Sequence, residues 1–192
     1  MPLKKTLLLV PFLLGLAVCR PQEAPNFGVD RWAGRLLDGT AVRFADTKAA
    51  HLVINFYSPT CEPCIQEIPA LELLSEEAKR RNIPMYMALE GNPASHGLNL
   101  PAGASMEDSF DAIRNRMLED IQKYSIRLPV LIMDPEFKID PRNGTVTGTP
   151  ETLVFSMNPM MLRYNFIGPI SVSNKADRIL RESRYQFVLE KL

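Results

Sequence analysis

Cysteine is scarce in this sequence, with three in 192 residues at Cys19, Cys61 and Cys64. So few cysteines exclude a disulfide-stapled miniature scaffold, and an odd count leaves one without an intrachain partner. There is no second Cys pair, and neither His51 nor His96 stands at zinc-finger spacing, so a structural zinc site lacks its ligand set. Charge of one sign is missing too. Twenty-two Lys and Arg offset 22 Asp and Glu, which argues against nucleic acid as a partner. Repeats, a phosphate-binding glycine loop, a catalytic triad and a paired-carboxylate site are all absent. What is present is an ordinary globular composition, 46% apolar and 23% charged, at a length that suits one domain with a well-buried core.

The longest apolar run, Leu7 to Val18, follows Lys4 and Lys5 and is too short to span a bilayer. It reads as a secretory signal over residues 1–18. Leu16-Ala17-Val18-Cys19 resembles a bacterial lipobox, in which Cys19 would become the lipid-bearing first residue; ordinary cleavage or an uncleaved anchor are the alternatives. Acylation of Cys19 would also account for the odd thiol. Residues 19–26, with Pro21 and Pro25, read as a polar tether, and residues 27–192 as the folded domain. Loss of the signal removes two positive charges from a chain of formal charge zero, leaving about −2.

Alternating apolar positions around Asp38-Gly39-Thr40 predict a hairpin over Phe27 to Phe44 that covers a sheet edge. Leu52 to Tyr57 is a continuous apolar run of the kind buried on both faces of a parallel sheet. Ile65, Ile68, Leu71, Leu74 and Ala78 then recur at helical spacing, which predicts a helix from Cys61 to Arg81 with a kink at Pro69. A strand at Pro84 to Leu89 completes a β-α-β unit with a right-handed crossover. Glu90 to Ser105 reads as an irregular insertion and Met106 to Tyr124 as a helix. Pro129 to Asp134 is a strand, and Leu153 to Ser156 with Met161 to Ile167 form a hairpin turned at Asn158-Pro159. Lys175 to Leu189 is the last helix. The order predicts an α/β fold, a three-layer α/β/α sandwich with an N-terminal hairpin extension. The methionines fit core packing, and the two histidines read as surface or edge residues.

Cys61-Glu62-Pro63-Cys64 falls where the buried strand turns into a helix. The spacing puts two thiols on one turn, and the free N–H groups and dipole of a helix N-terminus favour a negative sulfur. Cys61 is then the attacking thiolate, and Cys64, a turn further in, resolves the mixed disulfide. Pro63 costs little in a first turn, whose N–H groups lack partners anyway. A static disulfide and half of a zinc site are the bland alternatives; a strand, CxxC and helix in that order favour redox chemistry.

The segment from Asn55 to Leu71, NFYSPTCEPCIQEIPAL, resembles the active-site segment of the TlpA/ResA/DsbE-type thioredoxin-like oxidoreductases. Leu128-Pro129-Val130-Leu131 and the stretch Val146 to Leu153 are similar to two further family segments. The resemblance runs from about Phe27 to the C-terminus and implies a thioredoxin-like fold. It implies a tethered periplasmic or other extracytoplasmic reductase whose redox-active disulfide, Cys61–Cys64, serves with no added cofactor and no metal. Its partners would be protein dithiols and disulfides, apocytochrome c during cytochrome c maturation among them, and a membrane thiol electron donor. Glu67 matches the family's acidic residue near the site, where a buried carboxyl would exchange protons with Cys64; without the resemblance it reads as a solvated glutamate. Pro150 matches the family's cis-proline, with Thr149 offering its backbone to an extended substrate. Glu62, between the cysteines, would tune thiolate stability and docking, and Pro63 beside it would take part in substrate binding. One departure stands out. The family carries Trp before the first Cys, and this chain has Thr60, with its single Trp at position 32.

Two rival readings remain. A peroxiredoxin-like peroxidase is disfavoured by the residues that precede Cys61. A copper-binding chaperone module would use both thiolates with a histidine.

Overall fold

A computed structural model describes residues 28–142 and 144–192. The signal, Cys19 and the tether lie outside the described residues. Among the described residues, seven strands form one mixed sheet: β1 (Ala33–Leu36), β2 (Ala41–Arg43), β3 (His51–Phe56), β4 (Met85–Leu89), β5 (Val130–Met133), β6 (Glu151–Ser156) and β7 (Met161–Ile167). Their order across the sheet is β2-β1-β5-β4-β3-β6-β7. β3, β4 and β5 are parallel, and every other pairing is antiparallel. Among the described residues the α-helices are α1 (Glu62–Arg80), α2 (Met106–Tyr124), α3 (Ala176–Ile179) and α4 (Ser183–Lys191).

The expected hairpin forms, with Gly39 at φ 87° in its turn, and it extends the sheet by pairing β1 with β5. Gly34 in β1 is required by that contact, since a Cβ there would collide with the Ile132 carbonyl oxygen. Strand β3 is central and almost wholly buried, as its unbroken apolar run implies. The β3-α1-β4 and β4-α2-β5 connections advance in the same direction across the sheet, so crossovers of one hand bring α1 and α2 to one face. There Ile68, Leu71, Leu74, Phe110, Ile113 and Met117 share a core with Val53, Met87 and Tyr185. Tyr57, at the end of β3, is fastened to α2 by a 2.8 Å hydrogen bond to Asp120.

The opposite face has a second core containing Leu52, Ile54, Phe56, Leu153 and Phe155. Among the described residues, no α-helix contributes to it. Single-turn 3-10 segments at 29–31 and 44–46 supply Val29 and Phe44, and the irregular segment after β5 supplies Phe137 and Val146. The third layer of this thioredoxin-like fold is therefore extended and aromatic, with Trp32 packed edge-on against Phe44, Phe56 and Phe137.

The final helix departs from expectation. The sequence pattern predicts one helix over 175–189, yet the chain breaks between α3 and α4, where Glu182 is extended at ψ 128°. Along a continuous helix Tyr185 would lie about 240° around the axis from Ile179. The break turns both into the same core, where each is 1% exposed or less. Helix α1 runs unbroken through Pro69, and Ser105 caps α2 in a reciprocal capping box with Asp108.

Candidate active site

Cys61 sits at the mouth of α1 because Ser58-Pro59-Thr60 ends β3 in a turn closed by the Cys61 N–H to the Ser58 carbonyl at 3.0 Å. It is the N-cap residue, and its Sγ accepts the Cys64 N–H at 3.2 Å. A sulfur in that place meets a first-turn helix donor, the Cys64 N–H that it shares with the Cys61 carbonyl at 3.0 Å, and the positive end of the dipole, both of which favour its anion. Cys61 is half-buried and Cys64 is fully buried, and the two form a disulfide. Pro63 lies in the first helical turn, exposed, as does Glu62, which accepts a hydrogen bond from Gln66 at 3.1 Å.

Glu67 has no exposed surface. It lies three residues beyond Cys64 on the same helix face. Its Oε1 accepts from Asn55 Nδ2 at 2.8 Å and its Oε2 from the Ile170 backbone N–H at 2.9 Å. Burial lifts its pKa from 4.5 to about 7, against the opposing pull of those two donors and of Arg184. A carboxyl poised near neutrality within one turn of a buried thiol suits proton exchange during thiol chemistry.

The Thr149–Pro150 peptide bond is cis, as expected. Thr147 to Thr149 and Cys61 line one open groove of about 520 Å³, walled also by Ser58 and Thr60. A backbone segment facing a reactive sulfur across such a groove offers main-chain groups to an extended polypeptide.

Sequence reasoning misses two residues. Glu151, 1% exposed, accepts from the Thr147 N–H at 3.0 Å and from the Thr147 hydroxyl, so it ties down the loop that carries Thr149. Its place immediately after Pro150 is the available signal. His96, read from sequence as a surface residue, is 4% exposed and lines the groove. It stands in a 3-10 turn, Pro93–His96, capped by Asn92 within the 90–105 insertion. Its Nε2 lies 2.8 Å from the Glu90 carbonyl, and its Nδ1 lies 3.5 Å from Ser58 Oγ. Burial lowers its pKa, partly opposed by the Glu90 carbonyl, so the neutral imidazole with its proton on Nε2 suits the site. The same insertion packs near the residue that departs from the family pattern, since a Cβ on Gly97 would lie 3.6 Å from the Thr60 methyl. His51 is half-buried at the start of β3, away from this groove.

A model of the AhpC/TSA family matches residues 21–155. The chain belongs to the AhpC/TSA family. Thioredoxin-like protein YneN of Bacillus subtilis is 36% identical over 56 residues, a stretch spanning 29% of this chain and 30% of YneN. Among solved structures, a thiol:disulfide interchange protein of the thioredoxin family from Chlorobium tepidum TLS superposes with a TM-score of 0.51 at 21% identity. That match covers 88% of this chain and 99% of the other. StoA from Bacillus subtilis reaches 0.55 at 11% identity, covering 83% and 93%. At these identities the likeness is one of fold, and it agrees with the thioredoxin-like family to which the segment around Cys61 points. Among the described residues, no group of three His, Cys, Asp or Glu side chains could hold a metal ion.

Proposed function

We propose that this thioredoxin-fold thiol–disulfide oxidoreductase reduces disulfides in exported proteins at the cell envelope. The observation that carries the reading is the half-buried Cys61 sulfur at the N-cap of α1, facing the Thr147–Thr149 segment across an open groove. In the reduced protein the Cys61 thiolate attacks one sulfur of a substrate disulfide. A Cys61–substrate bond forms, and the other substrate sulfur leaves as a thiolate that takes up a proton. Cys64 gives its proton to Glu67 and attacks Cys61 Sγ. The substrate's second sulfur departs with the bonding pair and is protonated, and the Cys61–Cys64 disulfide closes. Two electrons and two protons have passed to the substrate, and a thiol electron donor in the membrane restores the dithiol.

Thr149 would pair its backbone with the substrate segment, with Pro150 fixing the turn behind it, while Glu62 and Pro63 form the rim. The pair of sulfurs serves as the whole redox group, without another cofactor. Anchoring through Cys19, or release into the periplasm after cleavage, fits the apolar leader and the short tether. Apocytochrome c, with its paired thiols, is a substrate of fitting chemistry. The description of the Chlorobium protein as a thiol:disulfide interchange protein supports the same reaction class.

The test is the potential of the Cys61–Cys64 pair, equilibrated with dithiothreitol or glutathione buffers and read by thiol trapping. A value below about −220 mV is expected, and one near about −120 mV would reverse the direction of electron flow. A Cys64→Ser variant should accumulate mixed disulfides through Cys61. Rapid peroxide turnover in place of disulfide exchange would favour the peroxidase reading, and stoichiometric Cu(I) binding that outcompetes disulfide formation the copper-binding one.

A further inference from the structure

Glu67 is enclosed on all sides, and the groups shown to act on it come from three other elements. Cys64 precedes it on α1, Asn55 reaches it from β3, the Ile170 N–H from the segment after β7, and Arg184 supplies the nearby charge from α4. Asn55 is itself held on β6, where its Nδ2 donates to Thr152 Oγ1 at 3.0 Å. Both direct partners of the carboxyl are thus donors. That suits a carboxylate, which only accepts, and it fails a carboxylic acid, whose O–H must find an acceptor.

The acceptor is already in place. Asn55 is fully buried, and its Oδ1 has no hydrogen-bond partner, while its Nδ2 carries two bonds. Turning the amide about its last torsion exchanges the two ends. Oδ1 then accepts the Glu67 O–H, the Thr152 hydroxyl rotates to donate to the same oxygen, and Nδ2 takes the unpartnered place. Each orientation makes the same two contacts and leaves one end of the amide unpaired, so the exchange preserves the hydrogen-bond count. A leucine offers neither end, and an aspartate has acceptors alone.

We propose that Asn55 is a positioning residue whose amide reverses with the protonation of Glu67, so that one pair of contacts serves both the carboxylate and the acid. This rests on the reading that Glu67 exchanges protons with Cys64. Its consequence is that the carboxyl stays fixed on its helix face in both states, with the rearrangement confined to one amide and one hydroxyl.

The test is NMR of the purified oxidised full chain, labelled with 13C and 15N, across the pH range of the folded protein. Disulfide closure removes cysteine titration from the signal. The Asn55 side-chain 15N and NH2 proton shifts are expected to move with the same midpoint as the Glu67 Cδ. An Asn55 amide that stays constant while Glu67 titrates would overturn the proposal, as would a Glu67 that never changes state. In Asn55→Asp, the lost donor and added acceptor should weaken the acidity of Glu67 by about tenfold or more; a change within about twofold would count against the proposal. If that variant does not fold, the unsubstituted titration still decides. No substrate is involved, so the amide reversal can fail while disulfide exchange stands, and exchange can fail while the amide reverses.

Discussion

Replacing Glu67 by glutamine should alter how stability depends on pH more than it alters stability itself. In the folded chain the carboxyl titrates near 7, whereas an exposed glutamate titrates near 4.5, and the cause is burial. Between those values the folded protein holds a proton that the unfolded chain has released. Unfolding therefore releases a proton in that window, and stability falls as pH rises through it. At about 1.4 kcal/mol for each pH unit between the two values, the full loss is about 3 kcal/mol above neutrality. In Glu67→Gln the side-chain amide is a permanent stand-in for the acid, its oxygen accepting from Ile170 and its NH2 donating to a reversed Asn55. Urea unfolding of the oxidised protein can be followed through Trp32, the single tryptophan, set among Phe44, Phe56 and Phe137. The stability difference between Glu67→Gln and the parent should shift in the variant's favour by about 3 kcal/mol from about pH 4 to about pH 8, a midpoint shift on the order of 1 M urea. A difference that does not vary with pH would refute the argument, because it would mean that Glu67 has the same proton affinity folded and unfolded.

Other outcomes follow from packing and capping. Gly34→Ala drives a Cβ into the Ile132 carbonyl oxygen, so the β1–β5 pairing must shift, and a loss of about 1–3 kcal/mol should appear in urea melts. An unchanged melt would mean that the hairpin yields without cost. Ser105→Ala removes the oxygen that caps the Asp108 N–H at 3.1 Å and should cost about 1 kcal/mol, with amide exchange quickening in the first turn of α2. His96→Ala leaves the Glu90 carbonyl without its 2.8 Å partner and opens the wall beside Ser58. It should cost about 1–3 kcal/mol and speed alkylation of Cys61 in the reduced protein, and unaltered alkylation would remove His96 from the groove.

What can be read from the residues, and what cannot, divides along the range of the forces involved. Strand β3, helix α1 and the position of Cys61 between them follow from local pattern: a β-branched run, a helical apolar repeat, and a CxxC at the junction. Glu67 illustrates the limit. Its place one turn beyond Cys64 is legible, but its burial depends on Asn55, 12 residues earlier, and Ile170, 103 residues later, and no local pattern encodes those contacts. His96 is illegible for another reason. In a Gly- and Pro-rich stretch there is no helix or strand period, so nothing indicates which side chain turns inward; here the Asn92 cap and the Glu90 carbonyl decide it. The break before α4 has the same origin, because Ile179 and Tyr185 share a core only if the helix stops between them. The residues around the sulfurs that no helix or strand period places, namely Glu67, Glu151 and His96, are thus the ones on which this chain's behaviour should depend beyond the dithiol itself. Their substitution should change proton affinity, loop position and access at Cys61 in turn, while leaving the two sulfurs on the same helical turn.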